Sequence, residues 1–210
     1  MAKLLYVVAS PQPSARSFSR KVAEEFVRQY KEHHPDDTID TIDIWNEKLP
    51  EIGAIAASWK VKAMTGQSHN DEELAERQLL EKTVERFKAA DKYVFAVPMW
   101  NFNIPYRLKH FIDVIVQPGM TFSFDPAKGY SGLIPSTRPV YIVQSRGGAY
   151  VEGPMSAFDF QKPYLESVLG FMGLTNVKTQ LVECTAYGPT VSDPIVAGAI
   201  AAAKAVAVAF

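Results

Sequence analysis

The stretch "YVFAVPMWNFNIPYRLKHFID" runs from Tyr93 to Asp113. Its first five residues are apolar on both alternating faces, the pattern of a strand buried on both sides within a parallel sheet. Leu108, Phe111, Ile112 and, just beyond the stretch, Ile115 recur at helical spacing, so a helix follows within a few residues. Pro105 suits the first helical turn, where its missing N–H costs nothing. Asn103 before it suits the N-cap. A plain strand-to-helix turn would carry Gly, Asp or Ser. Here Met99, Trp100, Asn101 and Phe102 fill that place instead, and exposed rings at a strand end need something flat to cover them. The four residues have the makeup of a clamp for a planar ring, with the Asn101 amide and backbone N–H groups meeting its heteroatom edge. The plainer alternative buries these aromatics under a neighbouring loop.

Four further runs read as strands: Leu4 to Ala9, Thr38 to Ile44, Val140 to Gln144 and Val177 to Cys184. Between them Phe18, Val22, Phe26 and Tyr30 mark one helical face. Leu80, Val84, Phe87 and Ala90 mark another, and Tyr164, Val168 and Met172, with Leu165 and Leu169 beside them, mark a third. The Ala-rich tail from Pro194 is the last helix, too short and too interrupted by Lys204 to span a bilayer comfortably. Alternating strands and helices predict a three-layer α/β sandwich on one five-stranded parallel sheet. The second and fifth strands carry polar residues and belong at the edges, which gives the order 2-1-3-4-5. Residues 53–70 and 120–133 exceed this minimal unit. "TFSF" followed by "DPAKGY" in the second has the turn chemistry of a small hairpin. With no repeat and no linker, residues 1–210 are expected to form one domain.

The 210 residues include 22 Lys and Arg against 23 Asp and Glu, for a net charge of −1. So even a balance argues against a nucleic-acid binder. A single cysteine, Cys184, permits neither an internal disulfide nor a zinc cage, so a cytoplasmic setting is expected, with Cys184 a small buried residue on its strand. His33, His34, His69 and His110 lack metal-ligand spacing and read as surface or structural residues, so no metal is expected.

In a doubly wound sheet, ligands sit beyond the carboxyl ends of the strands, at the point where strand order reverses. The loops after strands one, three and four therefore matter most. The first, "SPQPSARSFS", brings Ser10, Ser14, Ser17 and Ser19 with Arg16 to a helix N-terminus, which suits a phosphate. Neither a G-x-x-x-x-G-K-[ST] loop nor a G-x-G-x-x-G fingerprint occurs, and this loop holds no Cys. A terminal monophosphate fits best. The third loop, "QSRGGAYVEGP", offers Ser145 and Arg146 as donors, and Gly147 and Gly148 let the backbone approach a ligand closely. Each loop alone has an ordinary structural explanation, an N-cap or a tight turn. Together, a serine cradle, an aromatic clamp and a Gly-Gly edge describe flavin mononucleotide.

On "SFS" (Ser17 to Ser19), "PMWNFNIP" (Pro98 to Pro105), "SRGG" (Ser145 to Gly148), "GPMSAFDFQKPYLESVLGFMGL" and "AYGP", the chain resembles the FMN-dependent NADH-azoreductase family, within the flavodoxin-like NAD(P)H:quinone oxidoreductases. The likeness covers nearly the whole chain but not residues 53–70. It implies that Ser10, Ser17, Phe18 and Ser19 bind the FMN phosphate. Met99, Trp100, Asn101 and Phe102, with Ser145, Arg146, Gly147 and Gly148, would hold the isoalloxazine. It also implies a homodimer with FMN at the subunit interface. Phe102, Phe124 and Phe171 are then candidates for the acceptor slot, some of them from the partner.

The resemblance implies that NADH or NADPH passes hydride to flavin N5 and leaves, and that a quinone or azo compound then takes the electrons in the same pocket by ping-pong kinetics. No catalytic side chain is expected beyond the flavin itself. Two other classes compete. A flavodoxin-type electron carrier would be shorter and strongly acidic. A serine hydrolase would need a G-x-S-x-G elbow with a His and acid pair, and the elbow is missing.

Overall fold

The computed structural model describes residues 1–210, the side chains of 60 and 63 excepted. In chain order the elements are β1 (Lys3–Val8), α1 (Phe18–His33), β2 (Thr38–Asp43), α2 (Ala54–Thr65), α3 (Asp71–Lys88), β3 (Lys92–Pro98), α4 (Tyr106–Ile115), β4 (Phe122–Asp125), β5 (Gly129–Gly132), β6 (Val140–Ser145), α5 (Gln161–Phe171), β7 (Val177–Val182) and α6 (Pro189–Val208). The main sheet has the order β2-β1-β3-β6-β7, every pairing parallel. This is the flavodoxin-like arrangement expected from the polar character of the two edge strands. Antiparallel β4 and β5 form the separate hairpin. Asp125 Oδ1 accepts the amides of Ala127 (2.8 Å) and Lys128 (3.0 Å) to close its turn.

The central strands are buried on both faces because their side chains alternate between two cores. Leu5, Val7 and Ala9 of the β1 segment face one core with Phe87 of α3, Phe111 of α4 and Leu165 of α5. Leu4, Tyr6 and Val8 face the other, with Phe26 of α1 and Ala199 and Ala203 of α6. Each large side chain so buried contributes about 1.5–3 kcal/mol. On the second face Phe26 stacks on Tyr141 with ring centres 4.7 Å apart. The α6 helix runs 20 residues, longer than its sequence led us to expect. By length and apolar character alone it could cross a bilayer. Here Val196, Ala199, Ala203 and Ala207 press one stripe of it onto the sheet.

Several local expectations need correction. Residues 53–70, to which the sequence assigned no element, hold α2 and the cap of α3. The Asn70 side chain accepts the Glu73 amide while Glu73 accepts the Asn70 amide, a reciprocal capping box. Asn103 does not cap α4. Pro105 occupies that position, one residue before the helix. Asn103 instead closes the turn, exchanging backbone hydrogen bonds with Trp100 (2.8 and 3.0 Å), and its Oδ1 accepts the Ile104 amide at 2.7 Å. Cys184 lies beyond β7, partly exposed, at φ +58°, where its amide reaches Gly148 O. The strand must end there for the chain to turn back toward the glycines.

Ion pairs fasten the edge strand to a helix. Arg86 of α3 donates to Asp40 of β2 and to Glu47, each at 2.6 Å. The Arg86 hydrogen bond, with help from Lys3, holds the Asp40 carboxyl at about 2. Asp37 is likewise held at about 2, by the Ala2 amide and the Tyr30 hydroxyl. Both lie on the scaffold, away from the carboxyl ends of the strands. The histidines bond within the chain: His110 Nε2 lies 2.8 Å from Pro50 O, His69 Nε2 3.1 Å from Trp59 O, His33 Nδ1 3.0 Å from Gln29 O, and the His34 ring stacks on Tyr30.

Candidate functional site

Parallel strands deliver their following loops to one end of the sheet, and the turns after β1, β3 and β6 meet there around one crevice of about 320 Å³. The first loop contributes Ser10, Gln12, Arg16, Ser17 and Phe18, the second Pro98 to Trp100, and the third Ser145 to Gly147. Backbone hydrogen bonds fix the loops to one another. Ala9 N donates to Ala96 O at 3.0 Å and Met99 N to Ser145 O at 2.7 Å.

The hydroxyl end is built by the start of α1. Ser17 is its N-cap, with Oγ accepting the Arg20 amide at 3.4 Å. The hydroxyls of Ser17 and Ser19 lie 3.4 Å apart, and Ser19 is fully buried behind the cap. Ser10 Oγ accepts the Gln12 amide at 3.3 Å. The amides of Phe18 and Ser19, in the first turn of the helix, have no intrahelical acceptor by geometry. The hydroxyls of Ser10 and Ser17 and the positive end of the helix dipole therefore meet where Arg16 also lines the crevice, with Ser19 supporting Ser17 from behind.

Pro98, Met99 and Trp100 form the opposite wall, whereas Asn101, Phe102, Ser19 and Gly148 do not line the crevice. The tight turn from Trp100 to Asn103 begins at this wall. Asn101 and Phe102, at its tip, have φ of +47° and +70°. Two successive positive φ values suit a two-residue turn but are strained for an aromatic residue, and such strain collects at ligand sites. The Trp100 ring lines the crevice. Trp45 braces it from behind, with ring centres 5.4 Å apart and its Nε1 donating to Ala9 O at 3.1 Å. Trp100 also borders a second hollow of about 430 Å³, shared with Asn101, Tyr106, Lys109 and Tyr164. That larger space lacks the serine cradle.

The third loop carries the glycines. A Cβ on Gly147 would lie 3.3 Å from the Ala186 side chain, and one on Gly148 would lie 3.3 Å from the Tyr150 ring. Residues 184–186, after β7, are stitched over this loop: Thr185 donates its amide (3.2 Å) and its hydroxyl (3.0 Å) to Arg146 O, and Ala186 N donates to Gly147 O at 3.1 Å. Thr185 thus joins the crevice wall, a role that sequence reasoning missed along with Gln12. The Arg146 guanidinium is fully buried against Asp159, 2.7 Å away, so the loop presents its backbone rather than this charge.

The three aromatic candidates for an acceptor slot do not meet within the chain. Phe124 and Phe171 share Tyr130, with ring centres at 4.9 and 5.5 Å. Phe102 packs instead with Phe158 at 5.2 Å and Tyr150 at 6.3 Å.

Comparison with known proteins gives the family. Residues 2–207 match the family model described as Flavodoxin-like fold. An FMN-dependent NADH:quinone oxidoreductase of Nitratidesulfovibrio vulgaris is 43% identical over the full length of both chains. A crystal structure of azoreductase from Bacillus anthracis superposes with a TM-score of 0.92 at 34% identity, covering 100% of each chain. An FMN-dependent NADH-azoreductase from the same species, solved in complex with FMN, gives 0.91 at 28% identity, covering 99% of this chain and 98% of that one. The chain therefore belongs to the flavodoxin-like family that contains the FMN-dependent NADH:quinone oxidoreductases and azoreductases, and is an oxidoreductase.

Proposed function

We propose that this chain is a cytoplasmic FMN-dependent NADH:quinone oxidoreductase that also reduces aromatic azo compounds, with residues 1–210 acting as one flavin-binding domain. The supporting observation is the single crevice with a hydroxyl-rich helix start at one end and an aromatic turn beside a Gly-Gly loop at the other. FMN fits that donor set. Ser10, Ser17 and Ser19, with the first-turn amides of α1 and Arg16, would hold the phosphate. Met99 to Phe102 and the backbone of Ser145 to Gly148 would hold the ring.

Bound FMN would supply the two-electron chemistry, accepting hydride at N5 from NADH, or from NADPH in its place, and returning it to the acceptor. The chain supplies orientation and exclusion of water. Trp100 walls one side of the crevice, and the Met99 amide bond to Ser145 O fixes the distance between the turn and the glycine loop. Donor and acceptor would use the same opening in turn, which gives ping-pong kinetics and needs no separate dinucleotide fingerprint. Flat acceptors suit a slot lined by rings, hence quinones and azo compounds.

We further infer a homodimer in which Phe124 and Phe171 of one protomer complete the acceptor slot beside Phe102 of its partner. Within one chain these rings lie in separate clusters, and Phe124 is 59% exposed. The test of the reading is an absorbance spectrum under anaerobic conditions. The purified protein should be yellow, bleach on addition of NADH and recover colour with a quinone. A colourless protein that ignores added FMN would overturn it.

A further inference from the structure

Residues 149–160 connect β6 to α5 with little regular structure and leave Val151, Met155, Phe158 and Phe160 exposed, the last two in contact with Phe102 of the aromatic turn. Both ends of this segment are tied to one buried side chain. The Arg146 guanidinium donates from Nη1 to Asp159 Oδ2 at 2.7 Å, lies 3.5 Å from Glu183 Oε1, and donates from Nη2 to Gln144 Oε1 at 3.2 Å. Glu183 Oε1 in turn accepts the amides of Tyr150 at 2.6 Å and Val151 at 3.1 Å, at the start of the segment. Asp159 Oδ1 accepts the amides of Gln161 at 3.2 Å and Lys162 at 3.1 Å, at its end. A buried guanidinium is tolerated only when paired, and its fork can serve two carboxylates at once where a lysine offers a single point charge.

The segment so held packs on Phe102. The Phe158 ring centre lies 5.2 Å from that of Phe102, Tyr150 meets it edge-on at 6.3 Å, and the Phe160 amide donates to Phe102 O at 3.1 Å. The Tyr150 ring also lies against Gly148 and 5.7 Å from the Arg146 guanidinium. Phe102 is kept at its strained positive φ by these contacts.

We propose that residues 149–160 are a specificity-determining cover that selects large, flat, multi-ring acceptors, and that Arg146, Asp159 and Glu183 are the positioning residues that set it against Phe102. This rests on the flavin reductase reading above. The exposed apolar side chains of the cover give a second aromatic ring a surface that a single-ring substrate does not reach.

The test uses flavin-loaded Asp159→Asn, which keeps an oxygen to cap α5 but removes the charge facing Arg146, and Phe158→Ala, which leaves the ion pairs intact. With saturating NADH, both variants should raise KM for a two-ring azo dye about tenfold while kcat stays within about twofold. KM for benzoquinone and the dissociation constant for FMN should stay within about twofold. Chymotrypsin should cut Asp159→Asn within residues 149–160 about tenfold faster than the unsubstituted protein. A parallel rise in KM for both acceptors, or no change for either, would overturn the proposal. Should the unsubstituted protein fail to oxidise NADH, the flavin reductase reading falls. The cleavage rates then still decide whether Asp159 holds the segment, and equal rates would refute that.

Discussion

The crevice and the hairpin's aromatic cluster are both made of turns and rings, yet only one of them is finished within the chain. Around the crevice, loops from β1, β3 and β6 are joined by backbone hydrogen bonds, and its polar groups converge on one space. The cluster of Phe122, Phe124, Tyr130 and Phe171 is packed on itself, with Phe124 and Tyr130 largely exposed. What fixes the hairpin is backbone contact at its base. A Cβ on Gly132 would overlap Met172 and Gly173, and Ile134 N donates to Met172 O at 3.0 Å. The contrast separates two jobs: holding a cofactor, which we assign to one chain, and shaping the acceptor slot, which we assign to two.

The sharpest way to break this division is to put a carboxylate into the cradle. Ser17→Asp sets a negative charge near a phosphate and should weaken FMN binding about a thousandfold, read by flavin fluorescence titration. Phe124→Ala should leave that affinity within about twofold. Equal losses in the two variants would erase the distinction.

Next in size is the base of the hairpin. Gly132→Val forces the β5 backbone away from the end of α5, and urea unfolding should show a loss of about 3 kcal/mol. The folded fraction should still bind FMN. A smaller effect is expected from Phe171→Ala, which should raise acceptor KM about tenfold without altering FMN affinity. If the homodimer reading holds, a hybrid dimer of Ser17→Asp and Phe171→Ala protomers would pair the intact cradle of the second with the intact Phe171 of the first, leaving one undamaged slot and one doubly damaged, and would turn over faster than the average of the two parent dimers. Turnover at or below that average would place both groups in one chain.

The smallest effect concerns the scaffold. The folded pKa of Asp40 lies near 2, below its ordinary value of 3.8, because Arg86 donates to it. The resulting stabilisation is therefore complete above about pH 4 and disappears as pH falls through about 2. The melting temperature of the protein should exceed that of Asp40→Asn by a few degrees at pH 6, with the gap closing by pH 2. A gap that persists at pH 2 would show that Asp40 acts through packing and not through its charge.

The sheet order and the three-loop site were legible because burial leaves a periodic trace. Leu4 to Ala9 and Val140 to Gln144 are apolar on both faces, whereas Thr38 to Ile44 is not. The serines before Phe18 announce a helix start in the same direct way. Other features depend on partners far along the chain. Asn103 looked like a cap because its spacing from Pro105 suits one, but the turn to Trp100 claims its hydrogen bonds. Arg146 looked like a ligand donor beside two glycines. Its carboxylate partners, Asp159 and Glu183, stand 13 and 37 positions away, and no local pattern announces them. Thr185 reaches the crevice only because the loop after β7 folds back over Gly147. One signal was present and unread: "NDEE" at Asn70 to Glu73 is a capping box and marks the start of α3.

The most direct measurement is titration of FMN into the flavin-free protein, followed by fluorescence quenching, with Ser17→Asp alongside. The expected result is a single FMN per chain, saturating below micromolar concentration, and a weakening of about a thousandfold in the variant. Failure to bind at micromolar FMN, or binding indifferent to Ser17→Asp, would contradict the assignment of the crevice.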